Sequence, residues 1–487
     1  MSFESLKLEK PVRIRFYARH VRTQVTFVVA VAVAVAVLAG AIGPAAVALA
    51  EANPPVRELT LDDALAAARR ANRTLVAERA RLEQAHAVVD RAWTALFPTL
   101  AAQGKYTRNN VEFAFAQPMT GTLVIQPINQ FDVAVNATVP LLVPAAYPAL
   151  RSVNMSARAT EENVRAAEES VLFGVAQTFF AAGIADEVLL ARQSSIQVAR
   201  ATVDNAKARF EGGAVTKVDV DRAQLAVLRA EQAERESQLA REQTYRALAT
   251  LVQLPQPFKV RVAPSAMEDE PGVLAGGAGG GSSAGSTKAG QLPRRGGAQD
   301  NELAGALHLR PEFQALEAAA AASDAERSGY AWRWAPSLSG FGMARAFNYD
   351  NFARKSYAWA FGAQLDWVLY DGGVRDAQRR QAAAQGVETR ARAEVLRESI
   401  RDDLLNGRRQ VQTKRQAQQT FENAVALARE TIELVRIQYE AGQATQIDLL
   451  TAQDNLVNAQ LAVAQAHFDL AVADLTLRRA AGTFPAR

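Results

Sequence analysis

The sequence predicts a mainly helical protein with a transmembrane β part, built as two internal repeats of one plan. Each repeat reads as short helices, a β-hairpin and a long antiparallel coiled-coil α-hairpin. Three observations predict this. Residues 149–211 and 374–440 contain no proline and little glycine, so each reads as one uninterrupted helix. Before each of them, the segments after Pro98 and Pro336 change from helical to alternating periodicity. After each of them, the same turn is written twice: "FEGGAVTKVDVDRAQ" at 210–224 and "YEAGQATQIDLLTAQ" at 439–453. At an offset of 229, Gly213 falls on Gly442, Thr216 on Thr445, Asp219 on Asp448 and Phe210 on Tyr439.

Taken in chain order, residues 1–50 read as a secretory signal peptide. Basic residues from Lys7 to Arg22 precede the apolar run "VTFVVAVAVAVAVLAGAIG", and "ALA" at 48–50 supplies small residues for cleavage before Glu51. This segment carries the whole formal charge of +4 of the 487-residue chain, so the exported part is neutral. Neutrality removes the argument for a nucleic-acid partner that a pI near 9.3 would otherwise make. Cysteine is absent, which excludes disulfides, thiolate metal sites, a catalytic thiol and a lipid-bearing cysteine. Beyond the signal no run of 18 or more apolar residues remains to form a membrane-spanning helix.

The first repeat is expected over 51–268. Thr60 and Asp63 form a capping-box-like start to "LDDALAAARRANRTL", and a second helix runs to Phe97 before Pro98. "PTLAAQGKYTRNNVEFAF" and "NQFDVAVNATVPLLV" then read as two strands, about 99–143, around a polar loop with Pro118, Gly121 and Pro127. The second repeat, 300–487, restates this plan, with Pro311 as a first-turn proline, Pro336 as the stop and a hairpin at about 337–370. Strands near ten residues long match a tilted membrane-spanning β-strand. The aromatics Phe341, Phe347, Tyr357, Trp359, Phe361, Trp367 and Tyr370 fit an outward apolar band.

The coiled hairpins are expected at about 147–254 and 374–481. A helix of roughly 65 residues is a rod about 100 Å long. Its seam steps by 3 and 4 through Ile196, Ala199, Val203, Ala206 and Phe210, and again through Val425, Ala428, Ile432, Val435 and Tyr439. That spacing packs a helix along a coiled-coil partner, which the chain after Gly213 or Gly442 supplies by returning antiparallel. Residues 269–299 are Gly/Ser-rich without a core-forming pattern and read as a flexible connector.

The "LTLDDALAAARRANRTL" opening, the "LFPTL" before the first strand, the "LYDGG" after the last and the duplicated glycine turn resemble the TolC-like outer-membrane efflux proteins over 55–485. The resemblance implies a homotrimer, with four strands per chain in one 12-stranded barrel in outer-membrane lipid. It implies long helices forming an α-barrel across the periplasm. It also implies a passive exit duct working with a periplasmic adaptor and an inner-membrane pump, in a family that serves drug efflux, metal export and type I protein secretion. No cofactor, metal or nucleic acid is implied. The turns at Gly212, Gly213 and Gly442 would be the periplasmic tips, with Asp448 lining the aperture, Asp219 tying the hairpins and Tyr439 as a gate tyrosine beside its counterpart Phe210. Two positions depart from the family pattern. Thr451 stands where a second ring acid is expected, and Ala444 where a basic residue is expected. Lys217 and Arg209 are the candidate substitutes for that base.

Two other functional classes fit the sequence less well. The histidines, His20, His86, His308 and His467, form no HExxH or Ser/His/Asp pattern, so no catalytic constellation is read. A periplasmic coiled-coil adaptor or structural protein is the alternative, against which the amphipathic strands count.

Overall fold

A computed structural model of the chain describes residues 57–117, 121–255, 257–262, 296–349 and 355–485. The expected signal peptide, and the connector as far as residue 295, lie outside the described residues.

Two helices dominate: α3, Ala146–Glu211, has 66 residues, and α7, Val374–Glu440, has 67. Each reverses into a helix about half as long, α4 at Lys217–Val252 and α8 at Gln446–Ala480. The coiled partner predicted for each long helix therefore covers only the half nearest the turn. The remaining halves pack on the short helices α1 (Leu61–Ala71), α2 (Arg73–Trp93), α5 (Gly296–Leu309) and α6 (Pro311–Trp332). Helix α5 begins inside the stretch expected as connector. Helix α6 touches both long helices and joins the repeats. A Cβ at Gly329 of α6 would lie 3.6 Å from Pro148, and one at Gly386 of α7 would lie 3.6 Å from Ser323.

The start signals act as their chemistry requires. Thr60 accepts from the Asp63 backbone N–H at 3.3 Å. Asn72 caps α2 through the N–H groups of Thr74 and Leu75, and its own amide donates to Leu251 O. Leu59, Leu172, Val175, Phe179, Leu248, Val252, Phe258 and Leu475 close the main core. The most apolar stretch of α3 is long enough to cross a bilayer, and it contributes Leu172 to Ala182 to this cluster. Two short strands, β1 (Arg57–Leu59) and β6 (Phe258–Val260), pair in parallel over it. They are held by Tyr245, whose hydroxyl donates to Asp186 at 2.6 Å and accepts from Val260 N–H at 3.2 Å.

At the opposite end from the turns is a four-stranded antiparallel sheet in the order β2-β5-β7-β8: Thr99–Arg108, Asn129–Leu142, Ser337–Phe347 and Tyr357–Asp366. Its register sorts the side chains sharply, because directly paired residues share a face. One face carries the rows Leu100–Ala137–Gly342–Phe361, Ala102–Val135–Ala344–Trp359 and Gly104–Val133–Ala346–Tyr357, with Tyr106 on Phe131 beyond them. That face is apolar except at its far end, where Arg108 pairs with Asn129. The other carries Gln103, Lys105, Asp132, Asn136, Ser339, Arg345 and Gln364.

Three details correct the sequence reading. The polar loop between the first two strands contains a second hairpin, β3 (Phe113–Gln117) with β4 (Gly121–Gln126). Phe341 and Phe347 fall on the polar face, where Phe341 lies over Gly362; they are not part of the apolar band. The last strand ends at Asp366, so Trp367 and Tyr370 lie beyond the sheet, with Trp367 donating to Trp334 O at 3.1 Å. The "LYDGG" motif has a structural cause. Asp371 accepts from the Gly373 and Arg375 N–H groups at the start of α7, and Gly372 and Gly373 adopt φ of 71° and 87°. Arg375, buried, returns to Asp371 at 2.8 Å and lies 3.9 Å over Trp334, joining sheet to helix.

Candidate functional site

The duplicated turns lie together at the ends of the two coiled hairpins. Each closes with the same hydrogen bonds. Gly213 N–H donates to Phe210 O and Ala214 N–H to Arg209 O; Gly442 N–H donates to Tyr439 O and Gln443 N–H to Gln438 O. This double closure requires a left-handed residue after the helix, and Gly213 and Gly442 supply it at φ 73° and 74°. Gly212 is right-handed at φ −77°, like its counterpart Ala441, and a side chain would meet only ordinary contacts there. The reversal therefore depends on one glycine per turn.

The next helices start with reciprocal capping boxes. Asp219 accepts from the Thr216 N–H at 3.1 Å and hydroxyl at 2.7 Å. Asp448 accepts from the Thr445 N–H at 2.9 Å and hydroxyl at 2.6 Å. The hydroxyl bond above all, then the backbone bond, holds each carboxyl below the usual value of 3.8. Both stay ionised at neutral pH. Asp448 is exposed, and Thr451 is exposed with its hydroxyl donating back to Ile447 O at 2.7 Å. Asp219 is half-buried, with Arg222 at 3.6 Å.

The two turns differ in what meets them. Phe210 is 45% exposed, whereas Tyr439 is 4% exposed. Arg209, from the last turn of α3, crosses to the second hairpin. Its Nη1 donates to Tyr439 O at 2.7 Å, its Nη2 reaches Glu440 O at 3.4 Å, and its guanidinium lies 4.5 Å over the Tyr439 ring. It meets the carbonyl end of α7, where a cation is favoured. Two turns higher, Gln453 donates to Thr202 Oγ1 at 2.9 Å and ties α8 to α3. Of the two candidate bases, Arg209 makes the inter-hairpin contact. Above the turns, α3, α4 and α8 line an open groove of about 410 Å³ with Val198, Leu225, Arg229, Leu450, Asp454 and Val457.

Sequence reasoning found the turn glycines and both aspartates but missed Gln446. Its position was visible, since 446, 449 and 452 share the buried period of α8 and a polar residue there is out of place. Among the described residues no group of three or more His, Asp or Glu gathers as a metal site.

Residues 64–253 and 303–483 match the family described as Outer membrane efflux protein. The chain belongs to this family. As an outer membrane efflux protein it is a TolC-like protein of the outer membrane. A curated relative, the outer membrane efflux protein BepC of Brucella suis biovar 1 (strain 1330), is 29% identical over 127 residues. That alignment spans 26% of this chain and 28% of BepC. Among solved structures, CusC superposes with a TM-score of 0.70 at 16% identity, covering 86% of this chain and 91% of CusC. The CmeC outer membrane channel of Campylobacter jejuni gives 0.68 at 18% identity, covering 87% and 85%. The open state of the MtrE outer membrane channel of Neisseria gonorrhoeae gives 0.67 at 20%, covering 87% and 88%. At these identities the likeness establishes a shared fold.

Proposed function

We propose that three copies of this chain close into one exit duct of a tripartite export system. The duct passively conducts substrates handed over by an inner-membrane pump and a periplasmic adaptor. The observation that carries the reading is the sheet. It has one face that is apolar but for the terminal Arg108–Asn129 pair, one polar face and, among the described residues, two unpaired edges, β2 and β8. Open edges are not tolerated in lipid. Pairing β8 of one copy with β2 of the next removes every edge, sets the apolar face toward lipid and encloses the polar face as a lumen. A periplasmic coiled-coil adaptor, the alternative, leaves that face without a purpose.

In this assembly the hairpin turns are the periplasmic entrance. Three copies of Asp448, kept ionised by their caps, ring the aperture and favour cations; Asp219 caps its own helix beside them, and Tyr439 with Arg209 ties the tips. The adaptor docks on the helical tips. The test is the mass of the detergent-solubilised protein, corrected for bound detergent: three chains are expected. A single chain that inserts alone into bilayers would overturn the reading.

A further inference from the structure

The second tip holds polar groups that the chain leaves unsatisfied. Gln446, 3% exposed, has neither amide atom hydrogen-bonded among the described residues, and the buried Tyr439 hydroxyl is likewise without a partner. The corresponding residue of the first repeat, Lys217, is exposed. Helix geometry places Gln446 at the joint between the hairpins. It lies two turns tipward of Gln453 on the same stripe of α8, and Arg209 lies two turns tipward of Thr202 on α3. Because α3 and α8 run antiparallel there, Gln446 falls opposite the turn that carries Arg209.

These two residues act in opposite directions. Arg209 gains two carbonyls and an aromatic face only while the hairpins are together. Gln446 loses its water while they are together and receives no hydrogen bond in return, a loss that a buried amide does not recover elsewhere. Its amide is already enclosed by its own chain, so another copy docking on the outside does not reach it; parting the hairpins does.

We infer that the joint is a balanced latch. Arg209 holds the tip closed, and Gln446, with the Tyr439 hydroxyl, biases it toward opening. The inference rests on the reading of the tips as the duct's entrance. It makes Arg209 and Gln446 positioning residues of the gate, and it assigns the closing contact to backbone carbonyls and a ring rather than to a carboxylate, since both tip aspartates already cap their own helices.

The experiment is single-channel recording of the reconstituted full chain, with thermal unfolding of the same preparations. Gln446→Met keeps shape and removes the orphaned amide, so open probability should fall roughly tenfold, with unfolding no lower than wild type. Gln446→Leu should do the same. Arg209→Ala should raise open probability, and Arg209→Lys should not restore it, because an ammonium lacks the planar fork. The Arg209→Ala, Gln446→Met double variant should lie between the singles. Unchanged or raised open probability in both Gln446 variants, or a lower unfolding temperature in Gln446→Met, overturns the latch while leaving a conducting duct intact. A wild type that forms no pore overturns the entrance reading on which the latch depends.

Discussion

Shifting one substitution by one residue along β5 tests the orientation of the sheet. Val135 is the middle of this 14-residue strand, in the apolar row Ala102–Val135–Ala344–Trp359. Asn136 follows it in the row Ala101–Asn136–Met343–Ala360, on the face that also carries Gln103, Asp132 and Arg345. If the apolar face meets lipid, Val135→Arg places a guanidinium near the bilayer midplane at a cost of about 2–4 kcal/mol per copy. Three copies lose roughly 6–12 kcal/mol, comparable with the whole folding free energy of a typical domain. Asn136→Arg puts the same group on the polar face, where water receives it, and should lie within about 1 kcal/mol of wild type. Urea unfolding in lipid vesicles, beside the yield in the outer-membrane fraction, measures both. Equal losses from the two variants, or a greater loss from Asn136→Arg, would refute the assignment of faces.

Burial first, then the bond to Asp186, pushes Tyr245 up to about 12. Its contribution to stability is therefore complete below its ordinary value of 10 and is lost as pH rises through about 12, a window that alkaline unfolding curves report. Tyr245→Phe should cost about 1–2 kcal/mol and abolish that alkaline step, because Val260 N–H loses its acceptor. Asp219 and Asp448 have depressed values, so their helix-start contribution is present above 3.8 and lost only as pH falls through the lower folded values. Hydrogen exchange of the tip amides, corrected for intrinsic rates, should show equal protection at pH 7 and 5 and fraying only in stronger acid. Deleting residues 276–285, a Gly/Ser-rich run with no apolar period, should leave outer-membrane trimer and transport unchanged. Loss of trimer would show that the segment is needed for packing.

The long helices were legible because nothing in 149–211 or 374–440 interrupts a helix, and the turns because a left-handed glycine and a Thr-x-x-Asp box leave a local pattern twice. The strands were legible in existence but not in detail. Phe341 and Phe347 are as apolar as Phe361, and only the register reveals that they stand on the other face. Trp367 and Tyr370 read as strand, yet the chain leaves the sheet at Asp366 so that Asp371 can begin α7. The β3–β4 hairpin was hidden by loop residues at its ends. At the tip, sequence gave no means of ranking Arg209 against Lys217 as the cross-hairpin base. That choice depends on which helix end faces Tyr439, a property of the packed hairpins rather than of either segment.

The most direct test of a duct whose periplasmic mouth is formed by the duplicated turns is planar-bilayer recording of the purified protein beside Asp448→Ala. If three copies of Asp448 ring that mouth, their ionised carboxylates focus negative potential on it. Wild type should conduct with a preference for cations and should be blocked by multivalent cations, and Asp448→Ala should weaken both without loss of trimer. A wild type that does not conduct, or two proteins with identical selectivity and identical block, would contradict the placement of that turn at the mouth of the pore.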